Sequence, residues 1–94
     1  MFVILLKFAD KSKAPALMSE HNEWLQKGFE DGLFLMSGSL QPGLGGTIFA
    51  HSIDRSELEQ WVQADPFVAE GVVTAEILEI SPARFDDRMA FLAS

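Results

Sequence analysis

Two side chains in this sequence are suited to moving protons, and both stand where folding alone would favour something else. His21 lies in the run "HNEWLQKG", which has helical periodicity. Leu17, His21, Trp24, Leu25 and Gly28 share one stripe of that helix, while Glu20, Glu23, Gln26, Lys27 and Glu30 take the opposite face. A histidine is thus aimed at the apolar side. Gly28, on the same stripe, costs ~1 kcal/mol in helix propensity relative to alanine. Its missing side chain makes room either for a cleft or for the close approach of another segment. Asp65 precedes Pro66 at the end of a second helical stretch. A carboxylate there meets the negative end of the helix dipole, unfavourable by ~0.3–1 kcal/mol, and a nearby histidinium would offset that. A histidine with an aspartate supports general acid–base chemistry, the ring moving the proton and the carboxylate fixing its tautomer. Each residue also has a plain reading: a core histidine bonded to a backbone carbonyl, and an Asp-Pro turn.

Other chemistries find little support. With no cysteine, thiolate catalysis, disulfides and thiolate metal sites are excluded. The two histidines lie thirty residues apart with no H-x-x-x-H or H-E-x-x-H, so no metal is expected. "GLGG" (43–46) runs into a β-pattern where a phosphate site needs a helix N-terminus, and no cofactor is expected. "SGS" (37–39) lacks the G-x-S-x-G frame of a serine nucleophile. Without a nucleophile, elimination or isomerisation is the favoured reaction class. His51 shares a strand face with Phe49 and Ile53 and reads as a sheet or interface histidine with a local hydrogen bond.

The elements that must position His21 and Asp65 follow from apolar spacing. "FVILLKFA" (2–9) is apolar on both parities, as in a central strand. Pro15 suits the first turn of the helix that carries His21, and Gly32 is placed to cap it in the left-handed region. "LFLMSGSL" (33–40) and "TIFAHSI" (47–53) read as strands around the turn "QPGLGG". Asp54 and Glu57 have capping-box spacing, and Leu58, Trp61 and Val62 form the buried stripe of a second helix that Asp65-Pro66 ends. "GVVTAEILEIS" (71–81) is the fourth strand. Strands near 1–9, 32–40, 46–53 and 72–81 and helices near 14–31 and 54–64 give an α+β, ferredoxin-like βαββαβ fold. In that fold one antiparallel four-stranded sheet carries both helices on one face, which places the two helices side by side. Phe85, Met89 and Leu92 have helical spacing in an extension at 83–94.

Ninety-four residues, 48% hydrophobic, make a single domain, 1–94. The uncovered sheet face, with Val3 and Leu5, leaves an apolar patch best explained by a homodimer. A net charge of −7 disfavours nucleic acid and anionic membranes as partners. No apolar run reaches the ~20 residues of a membrane span, no signal peptide is recognisable, and the expected location is cytoplasmic.

Three segments, H21-x-x-W-L-x-x-G28, L33-x-x-x-S-G38 and D65-P-F-V-A-x-G71-V, resemble the YCII-related (YciI-like) family across nearly the whole chain. The D-P-F-x-x-x-G segment is the most specific. The resemblance implies a dimeric α+β barrel of ferredoxin-like subunits with an active site built on His21 and Asp65. Ser37, Gly38, Pro66 and Phe67, from the same motifs, are the implied substrate contacts. It further implies proton-transfer chemistry on a small cyclic or carbonyl compound. Two other classes share these features: a small-ligand-binding or accessory module without turnover, and an interaction subunit whose histidine only ties two helices together.

Overall fold

The computed structural model describes residues 1–93. In chain order the elements are β1 (Phe2–Phe8), α1 (Ala14–Glu30), β2 (Phe34–Leu40), β3 (Gly45–Ala50), α2 (Arg55–Gln63), α3 (Pro66–Ala69) and β4 (Val73–Glu79), with 3-10 turns at Lys11–Lys13 and Asp87–Ala93. The four strands form one antiparallel sheet in the order β2-β3-β1-β4. This is the ferredoxin-like α+β arrangement expected from the apolar spacing, with β1 central.

Strand parity decides what the sheet buries. Phe2, Ile4 and Leu6 on β1, Ile48 and Ala50 on β3, and Val73 on β4 are buried on the face that meets Leu58 and Val62 of α2. Val3 and Leu5 point the other way, pairing with Phe49 and Leu78 and with Thr47 and Glu76 respectively. They are only half-buried, and Leu78 and Met36 are exposed. The outer edge of β4 is blunted by charge. Arg55 donates to the Ile77 carbonyl at 3.1 Å and pairs with Glu59 and Glu79, which discourages further strand pairing there.

β2 carries a bulge that redirects its side chains. Phe34 pairs with Ala50, but Met36 pairs with Phe49 and Ser37 with Ile48, so one residue is extra at Leu35. Phe34 therefore packs toward the helices, and beyond the bulge it is Ser37 and Ser39, rather than Met36 and Gly38, that share this face.

Helix ends follow their sequence signals. Gly32 has φ +73, and the Leu33 and Gly32 amides donate to the carbonyls of Gly28 and Phe29, a complete Schellman closure of α1. Asp54 accepts from the Glu57 amide at the start of α2. Two differences from the sequence reading have local causes. β3 stops at Ala50 rather than near 53, because Ser52 adopts φ +57 and leaves the extended region. Asp65-Pro66 ends α2 and also starts α3, since proline suits the first turn of a helix while the residue before it is extended. In the extension, the Asp87–Ala93 turns are broken by a non-helical Met89, and the Phe91 ring meets His51 edge-on. Ser94, part of the extension, lies outside the described residues.

Candidate active site

α1 and α3 meet over the sheet and bring His21 to Asp65. His21 Nδ1 lies 2.8 Å from Asp65 Oδ1. Asp65 reaches that position because it is the N-cap of α3: Oδ1 also accepts from the Phe67 amide at 3.0 Å, and its backbone carbonyl accepts from Val68 and Ala69. The carboxylate therefore meets a favourable helix N-terminus, which the reading of Asp65 as the tail of α2 did not anticipate.

The pair is shielded from water. Asp65 is fully buried, and the His21 side chain is 12% exposed. The imidazole lies flat on the Phe67 ring, with centroids 4.0 Å apart and planes within 3°, and it also stacks on Trp24 at 5.9 Å. Trp24 is in turn tied to α2, donating from Nε1 to the Trp61 carbonyl at 2.9 Å. Phe67 thus holds the site twice, through its amide on Asp65 and its ring on His21. Asp65 Oδ2 is buried without a hydrogen-bond partner among the described residues.

An ionised carboxylate can only accept, so the 2.8 Å contact puts the imidazole proton on Nδ1. In the neutral ring Nε2 then keeps its lone pair, and it has no partner among the described residues. His21 lines a cleft of about 290 Å³ between α1 and the sheet. Its walls are apolar, from Leu6, Phe8, Leu25, Ile48 and Val73, with Met18 beside them. Its polar lining comes from Asn22, Ser37, Ser39 and the Gly45–Thr47 stretch. An arrangement of this kind can take a proton from a bound molecule at Nε2 and return it.

Of the residues singled out in the sequence, His21, Ser37, Gly38 and Phe67 line this cleft. Asp65 stands behind His21, and Pro66 opens α3 without lining the cleft. Ser39, Asn22 and Met18 were not among the predicted site residues. Ser39 is brought to the cleft side of β2 by the bulge, where it stays exposed, and the bulge leaves no clear mark in the strand pattern, whereas Met18 and Asn22 fall three before and one after His21 in the helix. Gly28 does not open the cleft. A Cβ there would lie 2.2 Å from the Phe34 ring, so its missing side chain admits Phe34, the second of the two uses open to it. No group of three or more His, Asp or Glu residues among the described ones is arranged to hold a metal. No helix among them is long and apolar enough to cross a membrane.

Comparison with known proteins agrees with the fold. The family model of the YCII-related domain matches residues 1–82. Among solved structures, 5-chloro-2-hydroxyhydroquinone dehydrochlorinase from Burkholderia phenoliruptrix, in complex with 2,5-dihydroxybenzoquinone, superposes with a TM-score of 0.63. The match covers 88% of this chain and 96% of that one at 11% identity, a likeness of fold. No curated protein matches the chain.

Proposed function

The chain belongs to the YCII-related family, and on that footing we propose that it is a small acid–base enzyme in which His21 moves the proton and Asp65 positions it. The observation that carries this reading is the 2.8 Å contact between Nδ1 and Oδ1 on a histidine that lines a cleft. In this mechanism Nε2 takes a proton from carbon or oxygen of a small cyclic or carbonyl compound. The electron pair left behind either expels a leaving group, which is elimination, or shifts to a neighbouring carbon that Nε2 then reprotonates, which is isomerisation. Asp65 holds the ring's tautomer before the transfer and balances the imidazolium after it. The dehydrochlorinase with the same fold is named for an elimination, which is in keeping with this class. Ser37, Gly38 and Phe67 would contact the substrate, and Pro66 would set the start of α3 that holds Asp65. No cofactor takes part in these steps.

The working unit of this proposal is a cytoplasmic homodimer formed through the sheet face of Val3, Leu5 and Leu78, which the chain's own helices do not cover. The test is hydrogen–deuterium exchange or turnover on cyclic ketones and halogenated dihydroxy rings. His21→Asn is expected to lower the rate on the order of 10²–10⁴-fold, the usual share of a general acid–base group. Equal rates in wild type and His21→Asn on a compound the protein turns over would refute the role of His21.

A further inference from the structure

The cleft beside His21 has an electrostatic character that the acid–base reading alone does not specify. No lysine or arginine among the described residues lines it. The Lys11 ammonium lies over the Phe8 ring, 4.9 Å from its centroid, without itself lining the cleft, and Lys13 is committed to the Glu70 carbonyl. A protonated His21 adds no net positive charge, because Asp65 neutralises it at 2.8 Å. The surrounding field is that of a chain with net charge −7. An anionic ligand would lose part of its hydration on entering and find no cation in the lining in return, a balance that disfavours it.

What the cleft does offer is hydroxyls. The bulge at Leu35 turns Ser37 and Ser39 onto the helix-facing side of β2, and neither hydroxyl has a partner among the described residues. Thr47, by contrast, already donates to the Ile4 carbonyl. Residues two apart on a strand are spaced by roughly 7 Å, so the two hydroxyls can serve two ends of one small molecule. A volume of about 290 Å³ with apolar walls suits a single ring.

We infer that the cleft selects an uncharged, ring-sized molecule carrying oxygen substituents, held by Ser37 and Ser39, and that it rejects carboxylates and phosphates of the same size. This inference deepens the acid–base reading and takes the same cleft as its site. The experiment uses a matched pair of probes, 4-hydroxybenzamide and 4-hydroxybenzoate, which differ in charge but hardly in shape. Binding is followed by amide NMR shifts in wild type, in Ser37→Ala/Ser39→Ala and in Asn22→Lys, which places a cation in the lining. The amide is expected to shift Ser37, Ser39 and Phe67 at millimolar concentration, with at least tenfold weaker binding of the benzoate. The double alanine variant should weaken the amide at least fivefold, and Asn22→Lys should bring the benzoate to within about threefold of the amide. Benzoate binding equal to or tighter than the amide in wild type overturns the inference, as does an amide that fails to bind or is indifferent to loss of both hydroxyls. The same titrations in His21→Asn keep the two claims apart: ligand selection is expected to persist there, while loss of turnover in that variant bears on the acid–base reading alone.

Discussion

Asp65 offers the sharpest perturbation, because alanine and asparagine remove different things from it. Its Oδ1 accepts from two groups, the Phe67 amide at 3.0 Å and His21 Nδ1 at 2.8 Å. Alanine deletes the acceptor and leaves both donors unpaired, at about 1–3 kcal/mol for each buried group. The His21 side chain, 12% exposed, can recover some water, so its share falls at the low end. The sum is about 2–4 kcal/mol, a large part of the roughly 5–15 kcal/mol that holds a domain together. Asparagine keeps an oxygen at the Oδ1 position and places its NH2 where Oδ2 already lacks a partner. Its cost is expected below about 1 kcal/mol, since one unpaired group replaces another. Asparagine nevertheless removes the charge that balances the imidazolium, so turnover falls while the fold stays. The assay is urea unfolding followed by Trp24 and Trp61 fluorescence, at one fixed protein concentration because self-association would shift the midpoint. In a parallel thermal melt Asp65→Ala should unfold roughly 10–30 °C below wild type on the usual scaling for a domain of this size. Stabilities of the two variants within about 0.5 kcal/mol of each other would refute the two-donor account.

Gly28→Ala is expected to destabilise the protein despite alanine's better helix propensity, because its Cβ would overlap the Phe34 ring at 2.2 Å. Overpacking of about 1–3 kcal/mol or more outweighs a gain of ~1 kcal/mol, and a Phe34→Leu background should relieve part of it, as urea midpoints would show. Light scattering at micromolar concentration should report twice the 10.4 kDa chain mass, and Leu5→Lys on the open face should return the monomer without loss of helical circular dichroism. Asp10 has its carboxyl held below the usual carboxylate range by hydrogen bonds from the Ser12 hydroxyl and amide. A lowered folded value means that this contact's stabilisation is present above the unfolded value and is lost as pH falls through the folded one. Ser12→Ala should accordingly move the Asp10 titration upward by carboxyl-carbon NMR.

Much of the fold was legible because its signals are local. Strand parity on β1, the Schellman glycine at Gly32 and the Asp54 cap each depend on a few neighbouring residues, and each acts as its sequence suggests. The pairing of His21 with Asp65 was legible at one remove: each residue reads from the sequence as standing at a cost on its helix, although in the fold Asp65 caps α3 and reaches His21 where α3 meets α1. What stayed hidden depends on partners distant in sequence. In "LFLMSGSL" strict alternation puts Met36 and Gly38 on the Phe34 face. The extra residue at Leu35 becomes visible only in the pairing with β3, and it is what gives the cleft its hydroxyls. α3 escaped notice because four residues are too few for a periodic signal, and the same Asp-Pro that stops one helix starts the next. Gly28 showed that a side chain had to be absent, but only the Phe34 ring shows why.

The central claim is that Asp65 commits Nδ1 of His21 and leaves Nε2 free to act as the base. Long-range proton–nitrogen NMR on uniformly 15N-labelled protein reads this directly, with the His21 signals identified by their loss in His21→Asn and the spectrum taken where the ring is neutral. The account predicts a protonated Nδ1 and an unprotonated Nε2 for His21. A His21 ring carrying its proton on Nε2 would contradict it.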